Sequence, residues 1–288
     1  MISDRLSGPA FRRRRGVAAR FRLPFAAAAV ALAVFAAHRI EQRLSARTAL
    51  AEGEEAFRRG DFLRAADRFQ AALAIDPAST AVRLRLVAAY EKQYVPGGES
   101  AANLDVAKQA LAEIARVLDR DPSNRAAIMA AGDINASRLD YERARESYRR
   151  LAAIDSSSAA AFARMSAASL TQVSGAVLDA EARAGLSFAS GWPPDLGAEA
   201  RSAKAEDLRR SLAGRWSATI ADGIDAAARA VTIDRDHEGA MLTLAEWHRV
   251  AADLAPSPDE YRRHMISADE WRHKALAARR LKAQRSPQ

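Results

Sequence analysis

Residues 53–77 read GEEAFRRGDFLRAADRFQAALAIDP, and they contain a complete helix, turn, helix and stop. Small side chains at Gly53 and Ala65 let two antiparallel helices approach closely, and Phe69 fills the gap they leave. Gly60-Asp61 breaks the chain between the helices. Asp76-Pro77 ends the second one, because proline cannot continue the hydrogen-bond ladder and disfavours the helical conformation in the residue before it.

One such pair cannot bury its apolar face alone, so the pattern must recur if it is real. Forty-five residues on, Leu118-Asp119-Arg120-Asp121-Pro122 repeats the stop, with Ala110 and Ile114 standing where Ala65 and Phe69 stood. Thirty-four residues further, Ile154-Asp155-Ser156 repeats it again behind Gly132, Ala144 and Tyr148. Ile233-Asp234-Arg235 is a fainter copy, with Gly223, Ala227 and Ala230 at the small positions. The units fall at about 46–79, 80–124, 125–158 and 159–237, closed by a helix pair at 238–281 and a basic tail at 282–288. The expected fold is all-α, a solenoid of antiparallel helix pairs over 45–281 with one apolar helix in front of it.

The chain has 288 residues and 49% apolar content, enough for a large core, and repeats extend a domain past the usual size. It contains no cysteine, which excludes structural disulfides, thiolate metal sites, a cysteine nucleophile and a lipidated cysteine. The net charge of +8 is compatible with nucleic acid or with an anionic membrane surface. No aromatic residues are interleaved with the basic runs, so membrane contact is the simpler expectation and no nucleic acid is expected.

Residues 1–22 carry seven arginines, including Arg12 to Arg15, against the single acid Asp4, and read as a basic cytoplasmic tail. Then come fifteen uncharged residues at 23–37, LPFAAAAVALAVFAA, bounded by Arg22 and by His38-Arg39. As a spanning helix this run covers roughly 22 Å of a ~30 Å hydrocarbon core and needs its flanking arginines to snorkel. As a signal peptide it offers Val34-Phe35-Ala36 as a cleavage signature. The bland alternative is a buried Ala-rich helix of the fold, but no other segment is so free of charge, and both an anchor at 23–40 and a cleaved signal remain open. In either case the arginine excess holds the N-terminus in the cytoplasm and puts the repeats in the periplasm or exterior, as a single-pass cytoplasmic-membrane protein or as an exported soluble one.

Two places depart from the period. The segment Gln93 to Ser100, QYVPGGES, lengthens the turn of the second unit and is either a longer connection or a loop over the groove. Residues 171–216 interrupt the fourth unit with a helical piece near Val177 to Ala184, a loop at Ser190 to Asp195 carrying Trp192, and a charged stretch at Ala198 to Arg210; the second helix is expected to start at Ser217. In the closing pair, Trp247, Tyr261, Trp271 and Leu276 are the expected packing residues.

These repeats, together with VPGGESAANLDVAKQAL at Val95 to Leu111 and the ending from His237 to Arg280, resemble a family of bacterial tetratricopeptide repeat (TPR) proteins of unassigned activity. The resemblance covers most of residues 45–280. It implies a helical solenoid that acts as a protein-protein interaction scaffold, in which an extended peptide or partner helix lies in the concave groove. From the repeat register, Glu54, Arg58, Arg85, Lys92, Asp133, Arg164, Glu246 and Arg249 face that groove or are simply solvated.

Catalytic signals are weak: there is no Gly-rich phosphate loop, no G-x-S-x-G and no H-E-x-x-H. His248, His264 and His273 lie near Glu246, Asp269 and Glu270, but their spacing does not put two ligands on one turn, so no metal and no cofactor are expected. The expected function is a non-enzymatic, membrane-anchored scaffold. The alternative is an enzyme or metal-dependent accessory protein with its site in the 171–216 insert.

Overall fold

A computed structural model describes the backbone of residues 18–186 and 199–285, and the side chains of 31–186 and 203–285. The basic segment 1–17, the loop bearing Trp192, the last three residues and the side chains of 23–30 in the apolar run lie outside the described residues. Among the described residues the secondary structure is helical throughout, with no strand. The helices are α1 (Ala18–Arg58), α2 (Phe62–Ile75), α3 (Thr80–Gln93), α4 (Ala101–Leu118), α5 (Arg125–Ser137), α6 (Tyr141–Ile154), α7 (Ala159–Ala184), α8 (Glu199–Ile233), α9 (Glu238–Asp253) and α10 (Pro258–Arg285).

Local chemistry explains where the helices begin. Asp61, Ser79, Ser100, Asn124, Asp140 and Ser158 each accept the backbone N–H three residues on, satisfying a donor that the first turn cannot. The tight turn before Asp61 uses Gly60 at φ +80°, whereas the equivalent turn before Asp140 forces Leu139 to φ 63°.

Each helix packs on the next in sequence, so α1–α2, α3–α4, α5–α6, α7–α8 and α9–α10 form five antiparallel pairs. Among first helices, α3 also packs on α5 and α7 on α9. The first helices are therefore the more closely spaced layer, and a stack curves toward its tighter layer, which makes them the concave side.

The core runs between the layers. Phe69 of α2 and Tyr148 of α6 are each 1% exposed and press against Gly53 and Gly132 of the preceding helix. A Cβ at Gly132 would lie 2.3 Å from the Tyr148 ring. Trp247, fully buried, does the same from α9 against Gly223 of α8.

Two expectations are corrected, and one open reading is decided. Gln93 to Ser100 is the longer connection and not a loop cast over the groove. The α3 helix runs through Gln93, Tyr94 is buried, and Asn103 binds the turn from both ends of its amide. Its Oδ1 accepts from Val95 N at 2.8 Å, while Nδ2 donates to Val95 O at 2.8 Å and Gly98 O at 2.9 Å.

The described residues of 171–216 are not a separate excursion either. α7 continues unbroken to Ala184 and α8 begins at Glu199, so there is no new helix start at Ser217. The two helices of the fourth pair are simply lengthened, because Val173 and Val177 of α7 keep packing on Ala205 and Leu212 of α8 beyond the normal repeat length. In the closing pair, Trp247 packs as expected but Leu276 is 44% exposed. Among the described residues, no helix is long and apolar enough to cross a membrane.

Candidate protein-binding groove

The concave layer places charged side chains on α1, α3, α5, α7 and α9. Two of the expected groove pairs come together across neighbouring first helices. Arg85 of α3 donates from Nε to Glu54 of α1 at 3.0 Å, and Arg164 of α7 donates to Asp133 of α5 at 2.9 Å. The remaining residues are more dispersed. Arg58 is exposed and pairs with Glu55 on its own helix, which holds the Glu55 carboxyl below its ordinary range. Lys92 is exposed. Glu246 and Arg249 sit together on α9 at 3.9 Å, with Arg272 of α10 reaching Glu246 at 3.8 Å.

The centre of the groove contains two groups absent from that set, Glu91 and the Tyr148 hydroxyl. Tyr148 threads between α5 and α6 and donates its hydroxyl to Asp133 Oδ1 at 2.7 Å. Asp133 thus accepts from a phenol on one side and a guanidinium on the other.

Glu91, on the last turn of α3, is half-buried, and its Oε1 has no hydrogen-bond partner among the described residues. Burial pushes its carboxyl up to about 7, and the charge of Asp133 adds to this; Arg164 and Lys92 oppose it. Burial likewise raises Asp133, against the opposing effect of Tyr148 and Arg164, and raises the Tyr148 phenol with the help of Asp133. The cluster Glu91, Asp133, Tyr148 and Arg164 therefore joins three helix pairs, and near neutrality Glu91 is poised between its charged and neutral forms. The signal for Glu91 was present in the sequence: it lies one turn after the buried Val87, on a row that is otherwise packed.

The histidines behave differently from one another. His248 of α9 and His264 of α10 meet with their Nδ1 atoms 3.1 Å apart, and burial holds both imidazoles below their ordinary range. His273 is exposed on the surface of α10. Among the described residues, no group of three or more histidine or acidic side chains is arranged to hold a metal.

The lengthened α7–α8 hairpin carries a buried polar cluster of its own. Arg209, 5% exposed, donates from Nε to the carbonyl of Asp253 at 3.1 Å, beside the buried Glu181. Burial, followed by the charge of Glu181, raises Asp253 to about 6. This arrangement ties the hairpin to the end of α9.

No family model matches the chain, and neither does any curated protein. Solved structures do match in shape. A crystal structure of MamA protein is 13% identical, covers 85% of this chain and 97% of its own, and has a TM-score of 0.50. The structure of MamA from residue 41 to its end, from Desulfovibrio magneticus RS-1, is 15% identical, covers 84% and 98%, and also has a TM-score of 0.50. At these identities the likeness concerns the fold, and the fold of this chain is a TPR-like stack of helix pairs.

Proposed function

We propose that this protein is a non-enzymatic scaffold whose concave groove holds an extended segment of a partner protein, with Glu91, Asp133, Tyr148 and Arg164 at the centre of the contact. The observation that carries the reading is the half-buried Glu91 carboxyl, whose Oε1 has no hydrogen-bond partner among the described residues, beside a fixed Asp133–Arg164 pair on the layer that a helical stack presents to a ligand. A partially desolvated carboxylate with unused acceptor capacity offers more to an incoming donor than a solvated surface pair does. In this reading the other six groove residues expected from the repeat register, Glu54, Arg58, Arg85, Lys92, Glu246 and Arg249, serve as flanking contacts.

The test is site-specific photo-crosslinking in cells. A photoreactive residue at Lys92 or Arg164 should capture a partner, while one at Arg116 on the outer layer should not. Equal capture from both layers, or capture only from the outer one, would overturn the reading.

The same proposal includes an N-in membrane anchor at residues 23–40, with the repeats in the periplasm or exterior. It is supported by the seven arginines before the apolar run and by the single helix, α1, that carries residues 23–40 into the first repeat. An export-dependent reporter fused at residue 50 should be active. The mass of the mature chain then distinguishes an anchor, with Met1 retained in the membrane fraction, from a soluble exported form beginning at Ala37.

A further inference from the structure

On the outer side of the stack, α6 and α8 stand apart over α7 and flank a half-open cleft of about 260 Å³. We propose that this cleft binds a small zwitterion carrying one carboxylate and one ammonium group, of the α-amino-acid class.

The argument rests on where the charges are left. The α6 wall presents Arg145 and Arg149, one turn apart and hence on one face. Arg145 pairs with Glu142 of its own helix. Arg149 has no ion pair within 4 Å among the described residues, although after Arg145 its charge also helps hold the Glu142 carboxyl below its ordinary range. The α8 wall presents Asp222 and Asp225, again on one face, and neither has an ion pair among the described residues. Arg229, one turn beyond Asp225, could neutralise it but lies over the Phe162 ring instead, at 4.4 Å.

Positive and negative groups thus face each other across a gap that neither side spans. A molecule that carries both a carboxylate and an ammonium group neutralises both walls at once, whereas an ion of single charge neutralises only one. The floor suits the body of such a molecule. Phe162 and Met165 supply apolar surface, and Ser166 is fixed in place, donating to Gly223 O at 2.6 Å and accepting from Trp247 Nε1 at 2.8 Å. The volume lies below the ~300–1,000 Å³ typical of pockets for drug-sized ligands and suits a ligand of amino-acid size.

The molecule contains its own control. The matching cleft between α2 and α4, about 460 Å³, has its charges paired within the chain: Arg83 of α3 pairs with Glu113 of α4, both nearly buried, and also donates to Pro77 O at 2.7 Å. Arg120 donates to Ala78 O at 3.0 Å from the same side. There the chain neutralises its own cleft, and between α6 and α8 it does not.

The test is isothermal titration of the full-length protein with each of the twenty common L-amino acids, with propionate and propylamine as single-charge controls. At least one amino acid should bind, with both controls weaker by about tenfold or more. Arg149→Gln and the double variant Asp222→Asn, Asp225→Asn should each weaken that binding by about tenfold, while the melting temperature without ligand stays unchanged because these side chains are exposed. The proposal fails if no amino acid binds at about 10 mM. It fails equally if propionate binds as well as the best amino acid, or if the aspartate variant binds normally, since either result would reduce the cleft to a simple anion site.

Discussion

The early helix pairs and the late ones solve the same packing problem from opposite sides. In the first and third pairs the second helix supplies the aromatic: Phe69 of α2 enters at Gly53 of α1, and Tyr148 of α6 enters at Gly132 of α5. In the fourth pair Ser166 occupies the place of that glycine, Ala227 occupies the place of that aromatic, and the filling group arrives from the following pair. Trp247 of α9 lies against Gly223 of α8, with its indole N–H donating to Ser166 Oγ. The small positions of the repeat thus mark where helices must come close without specifying which helix fills the space. The reversal also changes what couples to what. Phe69 and Tyr148 bind a pair internally, whereas Trp247 binds the fourth pair to the fifth.

The largest expected effects come from removing these plugs. Phe69→Ala, Tyr148→Ala and Trp247→Ala should each cost about 3–5 kcal/mol in urea unfolding, with Trp247→Ala at the top because it also strips a hydrogen bond from Ser166. The comparison is sharpened by hydrogen exchange: Trp247→Ala should expose amides in both α8 and α9, while Phe69→Ala should affect α1 and α2. If Gly223 and Trp247 act as one unit, then Gly223→Ala combined with Trp247→Ala should cost less than the sum of the two, because a Cβ at Gly223 would lie 2.2 Å from the ring it displaces. Strict additivity would break the comparison.

Next in size is Asn103, which replaces regular repeat geometry in the second pair with three side-chain bonds to the turn backbone. Asn103→Ala should cost about 2–3 kcal/mol, mostly through backbone groups left unpaired. Asn103→Asp should recover part of that loss at most, since it keeps the acceptor for Val95 N but loses the donor. A loss below half a kilocalorie would show that the lengthened turn holds itself.

Glu91 is expected to make stability depend on pH. Its carboxyl is raised from 4.5 to about 7 in the folded chain, so folding favours its protonated form. The stabilisation is fully present below pH 4.5 and is lost as pH rises through about 7. Asp253, raised to about 6, acts in the same direction. His248 and His264, both lowered from 6.5, act oppositely: their contribution is present above 6.5 and is lost as pH falls below it. Glu91→Gln removes one component cleanly. At pH 8 it should be more stable than the wild type by about 1–2 kcal/mol, the full shift being reduced by partial solvent access, and the difference should shrink toward acid pH. A constant difference across pH would mean that Glu91 ionises normally.

The smallest effect separates the two turns. Gly60 takes φ +80° freely, but Leu139 is held at φ 63° in the equivalent turn with its side chain 57% exposed. Leu139→Gly should therefore stabilise by up to about 1 kcal/mol, the relief of the left-handed strain exceeding the added freedom of the unfolded chain. A destabilised variant would show that the Leu139 side chain matters more to the turn than its backbone angle.

Much of this architecture was legible in the sequence because it rests on neighbours along the chain. The stops at Asp76-Pro77 and Asp121-Pro122, the break at Gly60-Asp61, and the small residues at Gly53, Gly132 and Gly223 all act within a turn or between adjacent helices. The groove was legible only in part. Glu54, Arg85, Asp133 and Arg164 follow from register, and they meet as two pairs. Glu91 was passed over although it lies on a packed row, because an acidic residue beside a lysine at a helix end reads as solvated until its surroundings are known.

What the sequence determined by itself is the helix pair and its recurrence, since hydrogen-bond ladders, caps and prolines are local and the pattern of small and large side chains repeats with them. Only the tertiary structure decided the rest. It drew residues 171–184 and 199–216 into two long helices, brought Trp247 into the fourth pair, pressed His248 against His264 and raised the Glu91 carboxyl. Each of these depends on how far apart two helices from different parts of the chain come to rest. That distance is fixed by the packing of the whole stack, which no short stretch of residues encodes.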